Sequence, residues 1–199
     1  MRDEEAVRTA VISLLDALKI PQEDRERLLQ KTPYRAAEAL LKSTEGYFQD
    51  PSAVLTDSTD CTGPYRVSVP SVMLQTVKSL ATSSYCGLHF APMGIIARIA
   101  YIPAHLPSGD RRTVPVGNMA RLVKMYARRL TTPEIIARSV CEAIIANLDA
   151  QGVMVRLSVR HHCSCGKNQF DDGMTLYCLG TLSTNSPMYG AALASVSGR

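Results

Sequence analysis

The sequence lacks two features that would direct it to a membrane or out of the cell. It contains no run of about 18 apolar residues, so no transmembrane helix is expected. Its start, MRDEEAVRTAV, is acidic and amphipathic and lacks the apolar core of a signal peptide. We therefore expect a cytoplasmic protein, whose six cysteines would be reduced and able to bind metal. Six cysteines also permit disulfides, but nothing in the sequence points to secretion.

Basic runs and interleaved basic and aromatic residues are also missing. The net charge of +4 is mild and spread along the chain, so it gives no reason to expect a nucleic-acid partner. A small anionic substrate explains that balance equally well. The chain has 199 residues, of which 46% are hydrophobic. This is enough for one domain with a hydrophobic core and a small additional helical segment.

The first 48 residues have the pattern of a helical segment. Apolar residues between positions 4 and 19 fall on one stripe of a helix. Pro21 begins a second short helix, and Thr32 with Pro33 begins a third. The turn-rich stretch that follows, residues 49–65, predicts a loop.

Residues 65–185 have the pattern of an α+β domain. β-Branched and alternating stretches flank two helical stretches, residues 118–130 and 133–152. Strands, two helices and strands in this order predict an antiparallel sheet with both helices on one face. Residues 186–199 are small and polar, and we expect them to form a flexible tail.

Two clusters of cysteine and histidine suggest a metal site. Cys86 and His89 are three residues apart, and VRHHCSCGK holds His161, His162, Cys163 and Cys165. Three protein ligands with one open position are typical of catalytic zinc, whose bound water has a pKa of about 7. The alternative is structural, because cysteine is often a small buried hydrophobe and a histidine at a strand end often bonds a carbonyl.

Five segments in order resemble GTP cyclohydrolase I, the zinc enzyme that opens the imidazole ring of GTP and recloses it as dihydroneopterin triphosphate. The resemblance runs from about Thr32 to Leu182. Its segments are TPYRAAEAL, GYFQDPSAVL, SYCGLHFAPMGIIARIAYIP, MARLVKMYARRLTTPEIIARSV and GVMVRLSVRHHCSCGK.

The resemblance implies a tunnelling fold, in which subunits join their sheets into a toroidal homodecamer with active sites between subunits. It places Cys86, His89 and Cys163 on the zinc ligands. His161 takes the position of the histidine that transfers protons, and Glu134 that of the glutamate that holds guanine. Without the resemblance, Glu134 would be interpreted as an acid favoured by the helix dipole.

The resemblance also covers residues expected to bind the phosphates, and the sequence departs from the family at several positions. Arg121 falls on a cation that binds triphosphate, although an exposed helix face would also explain it. Lys167 replaces an arginine. The family's CEHH is CGLH here, so Gly87 and Leu88 replace an acid and a histidine.

We therefore expect a zinc-dependent cyclohydrolase that acts on GTP or a related guanine compound in specialised metabolism. Its product would be dihydroneopterin triphosphate or a ring-opened pyrimidine. Leu88 would line the substrate site and remove one proton-transfer group. The alternatives are a protein that binds a purine or pterin without turnover, and a related tunnelling-fold enzyme acting on a pterin.

Overall fold

A computed structural model describes residues 2–56, 65–67, 74–104, 111–162 and 172–197. The chain forms two compact units, Met1–Glu45 and Gly46–Arg199. The first unit contains three helices, α1 (Glu4–Ala17), α2 (Gln22–Leu29) and α3 (Thr32–Ser43). Asp3 caps α1, because its side chain accepts a hydrogen bond from the backbone N–H of Ala6 at 2.9 Å.

The described residues of the second unit form four further α-helices and seven strands. The helices are α4 (Pro51–Thr56), α5 (Val116–Ala127), α6 (Pro133–Leu148) and α7 (Tyr189–Ser197). The strands are β1 (Tyr65–Val67), β2 (Gln75–Cys86), β3 (Pro92–Ile102), β4 (Arg111–Thr113), β5 (Leu130–Thr131), β6 (Gly152–His161) and β7 (Asp172–Gly180). In the described ranges, no helix has the length and apolar character needed to cross a membrane.

One five-stranded sheet organises this unit, with the strand order β5-β2-β3-β6-β7. All neighbours are antiparallel except β2 and β5, which are parallel at Tyr85 and Cys86. β1 and β4 form a separate two-stranded sheet. The predicted α+β class is confirmed, and the parallel pair is a feature that the sequence analysis missed.

Helices α5 and α6 cover one face of the sheet, as predicted. Ile95, Ile99 and Leu157 point to this face and are buried together with Leu122 and Ile144 of the helices. In α6 the buried positions follow helical spacing, and the helix begins at Pro133. It ends at Asp149, which adopts the left-handed conformation with φ of 52°.

Two expectations about irregular segments are wrong. The expected loop at residues 49–65 contains α4, and Leu55 of that helix is buried in the main core. The expected flexible tail contains α7, whose Ala192 and Val196 are fully buried. Ala192 and Val196 pack with Ala100 and Met154 on the other face of the sheet. Their small side chains allow the helix to lie close to the sheet, so this segment is ordered.

Candidate active site

The turn after β2 brings Cys86 and His89 together. Cys86 is the last residue of its strand, and its carbonyl oxygen accepts a hydrogen bond from the N–H of Phe90 at 2.8 Å. The sulfur of Cys86 lies 3.6 Å from Nδ1 of His89. Cys86 is 3% exposed whereas His89 is exposed, so the pair joins a buried thiol to a ring open to solvent.

Gly87 explains why this turn lies close to β5. Its N–H donates to the carbonyl oxygen of Thr131 at 2.9 Å. A Cβ at position 87 would lie 3.1 Å from the carbonyl carbon of Leu130, so a larger residue would press on β5. Tyr47 holds β5 from another side, since its hydroxyl bonds the N–H of Leu130 at 3.2 Å and its carbonyl at 3.1 Å.

Glu134 lies in the first turn of α6, three residues beyond β5. Its Oε1 accepts a hydrogen bond from the hydroxyl of Thr175 on β7 at 3.4 Å. Its pKa is lowered, first by its own backbone N–H and then by the hydroxyl of Thr132; Thr175 and the charge of His161 act in the same direction. Glu134 is therefore an exposed, ionised acceptor.

His161 ends β6 at the same end of the sheet. It pairs in register with Met93, which in turn pairs with Ser84, two residues before Cys86. His161 is partly buried and close enough to Glu134 to lower the pKa of that carboxyl. The structure thus brings the end of β2, the end of β6 and the start of α6 to one region.

Two predicted residues, Cys163 and Lys167, lie outside the described residues. Within the described ranges, no group of three or more histidines, cysteines and acids is arranged to hold a metal ion. Leu88 is 78% exposed in the turn between Cys86 and His89, and Arg121 is exposed on α5.

Three residues with an unusual backbone or unusual surroundings were not predicted. Phe90 is 57% exposed beside His89 and has a φ of 52°, an unusual conformation for a large side chain. The Oγ of Ser84 is buried with no hydrogen-bond partner among the described residues. Asn118 is buried, and its Nδ2 donates to the carbonyl of Leu55 at 3.2 Å. Only the positive φ of Phe90 has a possible sequence signal, because it follows a tight Cys-x-x-His turn.

Comparisons with known proteins identify the family to which the chain is similar. The family model described as GTP cyclohydrolase I matches residues 7–195. GTP cyclohydrolase 1 of Chlorobium phaeovibrioides is 31% identical over 195 residues, covering 98% of this chain and 78% of that protein. The Dehalococcoides mccartyi protein of the same name is 30% identical over 163 residues, covering 82% of this chain and 79% of its own.

A third relative, GTP cyclohydrolase 1 of Pelagibacter ubique, is 32% identical over 139 residues. The alignment covers 70% of this chain and 62% of the Pelagibacter protein, so the chain spans less than two thirds of that relative. The family match nevertheless includes the turn at Cys86, the start of α6 and the end of β6. The chain belongs to the GTP cyclohydrolase I family.

Proposed function

We propose that this protein is a zinc-dependent hydrolase that opens the imidazole ring of GTP or a related guanine compound. The observation that carries the proposal is the pairing of Cys86 with His89 beside the region that holds His161 and Glu134. Family membership supports the same chemistry. The product would be either dihydroneopterin triphosphate or a ring-opened pyrimidine. A pathway in pterin or other specialised metabolism stays a prediction, and so does a location in the cytoplasm.

The spacing of Cys86 and His89 fits zinc. With Zn–S and Zn–N bonds of about 2.3 and 2.05 Å at a tetrahedral angle, the two ligand atoms lie about 3.6 Å apart. The sulfur and Nδ1 of this pair are 3.6 Å apart. We assign Cys163 as the third ligand. When bound, zinc would supply a Lewis acid and a water that ionises near neutral pH.

Glu134 would hold the guanine edge. A carboxylate has two acceptor oxygens, and guanine presents two adjacent N–H donors, at N1 and the 2-amino group. The lowered pKa of Glu134 keeps the carboxylate ionised, and charge-assisted hydrogen bonds are stronger than neutral ones. Thr175 donates to Oε1 of Glu134 and would fix its orientation against the ligand.

His161 would move the proton that ring opening requires. Cleavage of the bond between C8 and a ring nitrogen leaves a nitrogen that must be protonated, and an imidazole ring can act as the general acid that donates this proton. Leu88 can neither donate nor accept a proton. Leu88 is 78% exposed in the turn between Cys86 and His89. It would therefore place an apolar side chain where the family has a second histidine.

Phosphate binding would fall to Arg121 and Lys167. In the family a GLSK loop also donates a serine and a lysine, and VGNM occupies that place here. Asn118 of this segment is buried and bonds the carbonyl of Leu55, so its side chain is used inside the fold. We therefore expect weaker triphosphate binding than in a protein with the GLSK loop.

The protein would act as a homo-oligomer with sites between subunits, by family analogy a decamer. The sheet supports this, because β7 pairs with β6 alone and β2 meets β5 at only two residues within the described chain. The remaining edges can pair with strands of another copy. Mass measurement in solution tests the number of subunits.

The rival is a protein that binds a purine or pterin without turnover. A panel of GTP, guanosine, ATP and a reduced pterin, followed by mass spectrometry of the products, separates the two. We expect a mass increase of one water, or later products, for the guanine compounds. Binding of a pterin with every substrate mass unchanged would favour the rival.

A further inference from the structure

A second polar groove lies on the sheet face opposite α5 and α6. Helix α7 covers half of this face, over Ala100 and Met154. The other half forms a groove whose lining includes Ile96, Arg156, Ser158, Arg160, His162 and Met174. The groove is separated from Glu134 by the sheet, because Glu134 belongs to α6 on the opposite face.

Positive charge is concentrated on this uncovered half. Arg98 lies directly opposite Arg156 in the β3–β6 register, and like charges in such a pair repel each other. The Nε of Arg98 is buried with no hydrogen-bond partner among the described residues. Nη1 of Arg156 donates to the carbonyl of Val196 at 3.1 Å, and Arg160 lies four residues further along the same face of β6.

Among the described residues that line the groove, none is an acid. Asp172 is opposite Arg160 in register, on the edge strand. Ile96 and Met174 both lie opposite Ser158 in register, between Arg156 and Arg160, and are 42% and 62% exposed. The sulfur of Met174 accepts a hydrogen bond from Nε of Arg156 at 3.0 Å. Guanidinium groups bind phosphate through paired hydrogen bonds, and an exposed apolar floor suits a flat organic group.

We propose that this groove binds an organic polyphosphate, with its phosphates at Arg156 and Arg160 and its organic part over Ile96 and Met174. The bound anion would also offset the repulsion between Arg98 and Arg156. This site goes beyond the proposed cyclohydrolase activity, since Cys86, which ends β2 on the helix-covered side, takes no part in it.

Calorimetric titration with ATP and with inorganic tripolyphosphate tests the proposal. ATP is chosen because adenine does not present the pair of N–H donors that Glu134 would accept. Arg160→Gln removes one cation, and Ser158→Glu adds a carboxylate at the centre of the groove. Lys124→Gln, an exposed change on α5, is the matched control for lost charge, and Arg121→Gln tests the other phosphate position.

We expect an ATP-binding component that Arg160→Gln and Ser158→Glu each weaken about tenfold or more, and that Lys124→Gln and Arg121→Gln leave unchanged. Absence of ATP binding, or binding that Arg121→Gln alone removes, would overturn the site. Equal affinity for ATP and tripolyphosphate would overturn the role given to Ile96 and Met174.

Discussion

The N–H of Gly87 donates a hydrogen bond to the carbonyl oxygen of Thr131 at 2.9 Å. This bond joins the turn that carries Cys86 and His89 to the short strand that leads into Glu134. The proposed metal ligands and the proposed guanine acceptor are therefore held by one backbone connection. A change at Gly87 is expected to affect both.

Gly87→Ala should lower the free energy of unfolding by about 1 kcal/mol, because overpacking against rigid backbone is costly. The added Cβ would lie 3.1 Å from the carbonyl carbon of Leu130. Gly117→Ala is the control, since nothing lies within 4 Å of its Cβ and alanine favours a helix by about 0.5–1 kcal/mol. Urea unfolding measures both variants, and equal effects of the two changes would contradict the close approach at Gly87.

Zinc content should depend on Cys86 and Cys163. We expect about one zinc per subunit in the native protein and a strong loss in Cys86→Ser and in Cys163→Ser, because a hydroxyl replaces a thiolate poorly. Elemental analysis of the purified proteins gives the metal content.

Two other cysteines serve as controls for the metal assignment. Cys178→Ser changes a partly buried thiol on β7 and should leave the zinc content unchanged. Cys165→Ser should do the same. Full zinc occupancy in Cys163→Ser, with loss in Cys165→Ser, would move the third ligand to Cys165.

Guanine affinity should depend on Glu134. Glu134→Ala leaves two N–H donors of the ligand unpaired, which costs about 1–3 kcal/mol, so we expect binding to weaken by one to two decades. Equilibrium titration with guanosine measures the loss without a contribution from the triphosphate.

Glu142→Ala is the matched control, because Glu142 is an exposed acid of the same helix paired with Arg138. It should bind guanosine as the native protein does. Since the pKa of Glu134 is lowered, native binding should also persist to a lower pH than a carboxyl with its ordinary pKa would allow, and weaken once the carboxylate is protonated. An unchanged affinity in Glu134→Ala would refute the guanine assignment.

Leu88 should limit the later steps on GTP. A positioned acid or base is worth about 10²–10⁴ in rate, so the native protein should form pterin slowly or stop at a ring-opened product. Leu88→His should raise pterin fluorescence, whereas Phe90→His, on the same turn, should not. Rapid and complete pterin formation by the native protein would show that another group, such as His162 or a water, supplies the proton.

Local pattern predicted the helices and strands that carry the site, because their apolar spacing is strong. The two residues of β5 could not be predicted, since they pair with Tyr85 and Cys86, which are far from them in sequence. Helix α7 has small residues and little polarity contrast, so its structure is decided by packing on Met154. The resemblance supplied the proposed roles of Glu134 and His161, because spacing alone would predict only a helix acid and a strand-end histidine.

Mass spectrometry of GTP incubated with the native protein, before and after zinc is removed and restored, tests the central claim most directly. The account predicts a ring-opened or later product that disappears when zinc is stripped and returns when zinc is added. GTP that stays intact with the zinc-loaded protein, or turnover that is unaffected by zinc removal, would contradict it.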